Sequence, residues 1–229
     1  MKKKSLLLIL FVVLQKLHGA DMQITGKNLE VYLTPEYNRA FYFCWDISTI
    51  GSVNLNNRHT IKTGLALGAV GSTFDLKFFT SGETAPFAPI PIYFGLAYKY
   101  NGLPEYEYHD HSIPLMTSMK WKWVGFSLGY NFRLTSFLGE PSIFEPVLLA
   151  SFYAFFINND FLQIGLKSAN YNDFTSGNLG AYFLNLNSVI RLNKKISLIN
   201  EIEIHQSGSI TLASNFYGLV YRGGAAFIW

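Results

Sequence analysis

Between Val124 and Thr135 the chain alternates without a break. Val124, Phe126, Leu128, Tyr130, Phe132 and Leu134 take every second position, and Gly125, Ser127, Gly129, Asn131, Arg133 and Thr135 fill the rest. Successive side chains of a strand project to opposite faces, so this segment as a strand has one apolar wall and one small or polar wall. Wound as a helix, it would scatter both sets around its circumference. The pattern recurs. Tyr217, Leu219, Tyr221, Phe227 and Trp229 oppose Gly218, Arg222 and Gly224. Ile61, Leu65 and Leu67 oppose Lys62, Gly64, Ala66 and Gly68. Tyr182, Leu184, Leu186 and Ile190 oppose Asn185, Asn187 and Arg191. Ile196, Leu198, Ile202 and Ile204 oppose Ser197, Glu201, Glu203, His205 and Ser207. Residues 144–157 are apolar on nearly both faces.

Composition indicates what meets those apolar walls. The chain is 49% hydrophobic and 17% aromatic but only 14% charged, against roughly 25% charged in soluble domains. Past the N-terminus no apolar run approaches the roughly 20 residues of a transmembrane helix. A closed barrel reconciles the two facts, because its strands are apolar on one face only and its backbone groups pair between strands. The expected fold is all-β, a transmembrane antiparallel up-and-down β-barrel. A secreted β-sandwich is the alternative, but the chain has few polar faces for its outer surfaces.

Turn signals divide the chain at Asn56-Asn57, Gly71-Ser72, Lys120-Trp121, Asn158-Asn159-Asp160 and Asn193-Lys194-Lys195, with longer links near 81–89, 102–111, 138–143, 171–177 and 208–214. Twelve strands result, at 29–37, 40–54, 59–70, 73–80, 90–101, 112–120, 122–137, 144–157, 161–169, 178–192, 196–207 and 215–229. Ten is the alternative count, since 29–37 and 73–80 are short and the first contains Pro35. An even number puts both ends on the periplasmic side. The links 102–111, 138–143, 171–177 and 208–214 then stand outside, and Trp121, Trp123, Phe156, Phe161 and Trp229 gather at the inner interface.

The chain ends carry two signals. Lys2, Lys3 and Lys4 precede an apolar run from Ser5 to Leu14, with small residues at Gly19 and Ala20. Residues 1–20 therefore read as a cleaved signal peptide, removed after Gly19 or Ala20, and 21–229 as the barrel. Removing that segment takes four of the 18 basic residues (Lys2, Lys3, Lys4 and Lys16), leaving 14 against 15 acidic. A net charge of that size gives no ground for a nucleic-acid partner. The single cysteine, Cys44, excludes an internal disulfide. At the other end, Arg222-Gly-Gly-Ala-Ala-Phe-Ile-Trp229 reads polar, x, Gly, x, x, aromatic, x, aromatic. Arg222, Gly224, Phe227 and Trp229 resemble the C-terminal assembly signal of bacterial outer-membrane β-barrels, which the barrel-assembly machinery recognises. The chain as a whole is similar to small porin-like outer-membrane proteins. The resemblance implies residence among outer-membrane lipids and a channel without covalent chemistry or cofactor.

Projecting the polar faces inward places Lys77, Lys99, Lys120, Lys122, Arg133, Lys167 and Arg191 on strands four to ten. Glu201 and Glu203 on strand eleven, Glu30 and Glu36 on strand one, and Asp46 on strand two form an acidic arc opposite. Arg222 and Lys62 interrupt that arc; Asp75 and Glu145 interrupt the basic one. A basic wall facing an acidic wall across a narrow lumen would create a transverse field for small polar or zwitterionic solutes. Small residues at Gly64, Gly68, Gly95, Ala97, Gly125, Gly129 and Gly165 favour an open passage. The competing reading is a closed structural or adhesive barrel whose charges neutralise one another.

Two constellations suggest other chemistry. His205 and Ser207 share a strand face one strand before the end, where a histidine could activate a serine. The segment resembles the His-x-Ser-Asn motif of outer-membrane lipid A deacylases, which implies a lipid-modifying hydrolase. It departs from that motif at Gly208, and no acidic residue follows Ser207. His109-Asp110-His111, with Glu105 and Glu107, has metal-ligand residue types, but two histidines are fewer than a zinc site usually offers. A solvated loop accounts for them, and no metal site is assigned.

Overall fold

The computed structural model of the protein describes residues 24–38, 42–55, 58–85, 91–174, 181–207 and 215–229. The segment 1–20, the turn at Asn56-Asn57 and the link 208–214 lie outside the described residues. Twelve strands run β1 (Ile24–Asn38), β2 (Tyr42–Leu55), β3 (His59–Val70), β4 (Thr73–Thr84), β5 (Ile92–Leu103), β6 (Tyr108–Lys120), β7 (Val124–Ser136), β8 (Ile143–Asn158), β9 (Leu162–Ala169), β10 (Ala181–Arg191), β11 (Ile196–Ser207) and β12 (Asn215–Ile228). Each pairs with its chain neighbour and β1 pairs with β12, closing the barrel. All pairings are antiparallel.

Pro35 does not remove the first strand. Its pairing to β2 is continuous through Pro35↔Trp45, whereas the ladder to β12 jumps from Leu33↔Gly223 to Glu36↔Val220. A residue without an N–H interrupts one ladder and leaves the other intact. Closure extends to the last residue, since the backbones of Lys27 and Trp229 exchange two hydrogen bonds of 3.2 Å. β4 runs four residues past its expected end, because Ser81 to Thr84 pair with both β3 and β5.

Alternation now has two solvents. Leu65 and Leu67 on β3, Leu128, Tyr130 and Phe132 on β7, Phe152 on β8 and Ile202 on β11 are exposed, while Ala66, Asn131 and Glu203 between them are buried. An apolar belt this continuous around a closed barrel is the surface that acyl chains cover. Trp121, Trp123, Phe156, Phe161 and Trp229 are also exposed, and all stand at the end where β6, β8 and β12 finish.

The interior is partly filled. Tyr32, Ile50, Phe79, Ile199 and Ala226 form a buried cluster, with Phe174 and Val189 packed on it. Gly64 and Gly125 make room for aromatic rings, whereas Gly95 and Ala97 of the same expected set line a lumen cavity. A Cβ on Gly64 would lie 2.3 Å from Phe79, and one on Gly125 would lie 2.4 Å from Tyr153. The missing side chains are the space that the neighbouring aromatic rings occupy.

β8 has 16 residues and β9 only eight. β9 stops at Ala169, opposite Ser151, so the outer half of β8 pairs with β7 alone. Asn170 prolongs the edge by one step. Its N–H donates to the Ala150 carbonyl at 3.2 Å, its side-chain oxygen accepts the Ala150 N–H at 2.9 Å, and its amide donates to the Leu148 carbonyl at 2.7 Å. Residues 171–174 then turn into the barrel. The expectation that 171–177 stands outside is thus corrected for its described part: the short β9 leaves a gap through which the chain enters.

Candidate functional site inside the barrel

Strand parity places Glu30, Glu36, Asp46, Lys77, Lys99, Lys120, Arg133, Lys167, Arg191, Glu201, Glu203 and Arg222 on the inward face, the same face as the buried Tyr32, Ser48, Phe79, Ser112, Asn131, Asn185 and Val220. Lys122 is the exception. β7 begins two residues later than expected, because the Trp121 N–H closes a turn on the Val124 carbonyl. Lys122 is exposed in that turn, its ammonium 5.5 Å from the Trp123 ring centre. Arg191 lies at the inner end, where its guanidinium donates to the Asn159 carbonyl of the adjacent turn.

Opposite walls of opposite sign do not form. Four of the inward cations meet a carboxylate close by. Lys77 lies 2.8 Å from Asp75 and 3.4 Å from Asp46. Lys120 donates to Glu83 at 2.6 Å. The Arg133 Nε donates to Asp110 at 3.0 Å. Arg222 reaches Glu203 at 2.9 Å and Glu201 at 3.2 Å. A carboxylate 3 Å away outweighs one across the lumen, because Coulomb energy falls with distance and water screens the longer path. Glu83 and Asp110 were absent from the expected set. Asp110 sat in a presumed loop, although continuing the β6 alternation two residues upstream would have placed it inward.

The strap Asn170–Phe174 carries the remaining organisation. Phe174 meets Phe79 edge to face with centroids 5.0 Å apart. The Tyr171 hydroxyl bonds the Ser151 hydroxyl at 3.1 Å. Lys99 and Lys167 each hold their ammonium 5.6 Å from its ring centroid. The Lys99 ammonium also donates to the Asn172 carbonyl. Asp173 stays exposed to lumen water although the barrel wall surrounds it. That enclosure alone would raise its carboxyl. The ammoniums of Lys62, Lys167 and Lys99 and the Arg222 guanidinium outweigh it, and the carboxyl is held below its ordinary range.

Beside the strap lies a cavity of about 410 Å³, lined by Lys62, Lys99, Lys120, Lys167, Asp173 and Glu201 among others. A groove of about 550 Å³ on the outer surface, among Trp45, Ile47, Leu65, Leu67 and Phe74, belongs to the lipid-facing side instead.

The two other constellations are resolved by parity. His205 and Ser207 share the inward face, and the His205 ring bonds Glu203 at 2.6 Å through Nε2, so neither side chain is presented to lipid. His109 and His111 face outward, bonded to Tyr100 and Tyr98, while Asp110 faces inward to Arg133. Adjacent strand residues cannot converge on one ion, and among the described residues no cluster of metal-ligand side chains forms.

No protein-family model matches the sequence, and no curated protein matches it. Solved structures do. A NanC porin aligns over 87% of this chain and 98% of its own, with a TM-score of 0.61 and 11% identity. The fold is that of a small porin-like outer-membrane β-barrel. A KdgM porin, solved in complex with disordered oligogalacturonate, covers 86% of this chain and 98% of its own at TM-score 0.55 and 10% identity. The translocator domain of the autotransporter NalP from Neisseria meningitidis covers 96% and 94% at TM-score 0.52 and 12% identity. A porin-like barrel and a translocator barrel thus share this architecture, and the interior must discriminate between uses.

Proposed function

We propose that this protein is an outer-membrane channel for the passive passage of small polar solutes. The observation that carries the reading is the charged, water-accessible cavity of about 410 Å³ inside a closed barrel. Cavities of roughly 300–1,000 Å³ accommodate small molecules, and ion pairs along this one offer both signs of charge to a polar or zwitterionic solute. The inward-facing residues Glu30, Glu36, Asp46, Lys77, Lys99, Lys120, Arg133, Lys167, Arg191, Glu201, Glu203 and Arg222 line the path. The strap narrows it, which suits a selective channel better than a wide pore. Residues 1–20 serve export. Arg222, Gly224, Phe227 and Trp229 present the last strand to the barrel-assembly machinery.

Planar-bilayer recording with purified protein tests this directly. Discrete conductance steps are expected, and intact barrels that never conduct at any voltage would remove the channel. The hydrolase alternative is tested by Ser207→Ala, which is expected to leave lipid A acylation unchanged.

A further inference from the structure

Lys62, Lys99 and Lys167 line one cavity on strands β3, β5 and β9. Arg222 is engaged by Glu201 and Glu203, and Lys120 by Glu83. Among the acidic residues of that cavity, Glu83 and Glu201 belong to the wall and Asp173 to a connecting strap. Its neighbours hold the strap by contacts that do not involve this carboxylate: Phe174 on Phe79, Tyr171 on Ser151 and the Asn172 carbonyl on Lys99. Asp173 itself stays open to lumen water, where a carboxylate exchanges readily with dissolved anions.

Along the cavity lining Lys62, Lys99, Lys120 and Lys167 outnumber Glu83, Asp173 and Glu201, which leaves an excess of one positive charge. We propose that Lys62, Lys99 and Lys167 form an anion-binding site for small carboxylate-bearing solutes, with Asp173 of the strap as its resident occupant. A solute carboxylate competes for the same ammonium groups, and the flanking Tyr171 ring, already stacked against two of those cations, offers an apolar face to its carbon skeleton. Multiple lysines suit this role. They act as point charges on flexible stems and do not demand the bidentate geometry that guanidinium groups impose. The site rests on the channel reading for its biological access, but occupancy does not require conduction.

The test is calorimetric titration of detergent-folded protein with glucuronate, with glucose as the uncharged control. Wild type is expected to bind glucuronate weakly and glucose not at all. Asp173→Ala vacates the site and is expected to tighten glucuronate binding at least tenfold. Adding Lys62→Gln and Lys167→Gln to that variant is expected to abolish the gain. Phe174→Ala, which loosens the strap while keeping the carboxylate, provides a second route to the same tightening should Asp173→Ala fail to fold. Equal glucuronate affinity in wild type and the vacated variants, or a gain that survives loss of both lysines, would overturn the site. Absence of conductance together with tightened binding would instead sink the channel and keep the site.

Discussion

Truncating Arg222 should destabilise the barrel by an amount that depends on Glu203. The Glu203 side chain is 1% exposed, and it accepts from Arg222 at 2.9 Å and pairs with His205 at 2.6 Å. Removing one partner of a buried ion pair costs about 3–5 kcal/mol, because the remaining charge is left uncompensated. His205 stays beside the carboxylate, and Arg222 is itself 20% exposed, so the lower end, about 3 kcal/mol, is expected for Arg222→Ala. Glu203→Gln keeps the shape and removes the charge; losing charge-assisted bonds there should cost about 1.5–3 kcal/mol. In Arg222→Ala/Glu203→Gln no carboxylate is stranded at position 203. The double variant should therefore be less destabilised than the sum of the singles by at least about 1.5 kcal/mol. Guanidinium unfolding of barrels refolded into phospholipid vesicles, followed by tryptophan fluorescence, measures all four corners of the cycle. Refolding without assembly factors separates this effect from any role of Arg222 in the C-terminal signal. Additive singles, or a loss under 1 kcal/mol for Arg222→Ala, would refute the buried-pair argument.

Other outcomes follow from the same geometry. Phe174→Ala removes the strap's ring from Phe79 and should raise single-channel conductance without lowering barrel stability by more than about 2 kcal/mol; unchanged conductance would show that the strap does not constrict the path. Gly64→Ala forces a Cβ onto Phe79 and should destabilise the barrel by about 1–3 kcal/mol, with a compensating Phe79→Leu expected to recover part of it. Replacing Glu201 and Glu203 with Gln should shift ion selectivity towards anions, read as a change in reversal potential across a salt gradient. The Asp173 carboxyl is lowered in the folded barrel from an ordinary value of 3.8. The stability it contributes is therefore complete above that pH and is lost as pH falls through the lowered value. Barrel stability should fall on acidification below about pH 4, and Asp173→Asn should remove part of that loss.

Two-residue alternation, together with composition and turn signals, pointed to a barrel of twelve strands with ten as the alternative, and it gave the side that most residues take, because side-chain direction in a strand is a local property of the backbone. The same locality separated His109 and His111 from Asp110, and it put His205 and Ser207 inside. Boundaries were legible where a turn residue marks them, as at Gly71, whose φ of +63° suits a residue without Cβ. They failed at Lys122, where a turn hydrogen bond between Trp121 and Val124 decides how far the strand extends.

What needed the tertiary structure was everything that depends on height and neighbour. Alternation assigns a face but not a depth, so it could not show that Lys77 on β4 meets Asp46 on β2 or that Arg222 meets Glu203. Those pairings arise from strand register and tilt. Nothing in residues 171–174 distinguishes an outer loop from an inward strap. Their course depends on β9 being only eight residues long, on the opening this leaves beside β8, and on Phe79 and the lysines waiting across the interior. The local chain specified a wall with a greasy side and a polar side, and only closure of that wall decided which charges meet and what occupies the space within.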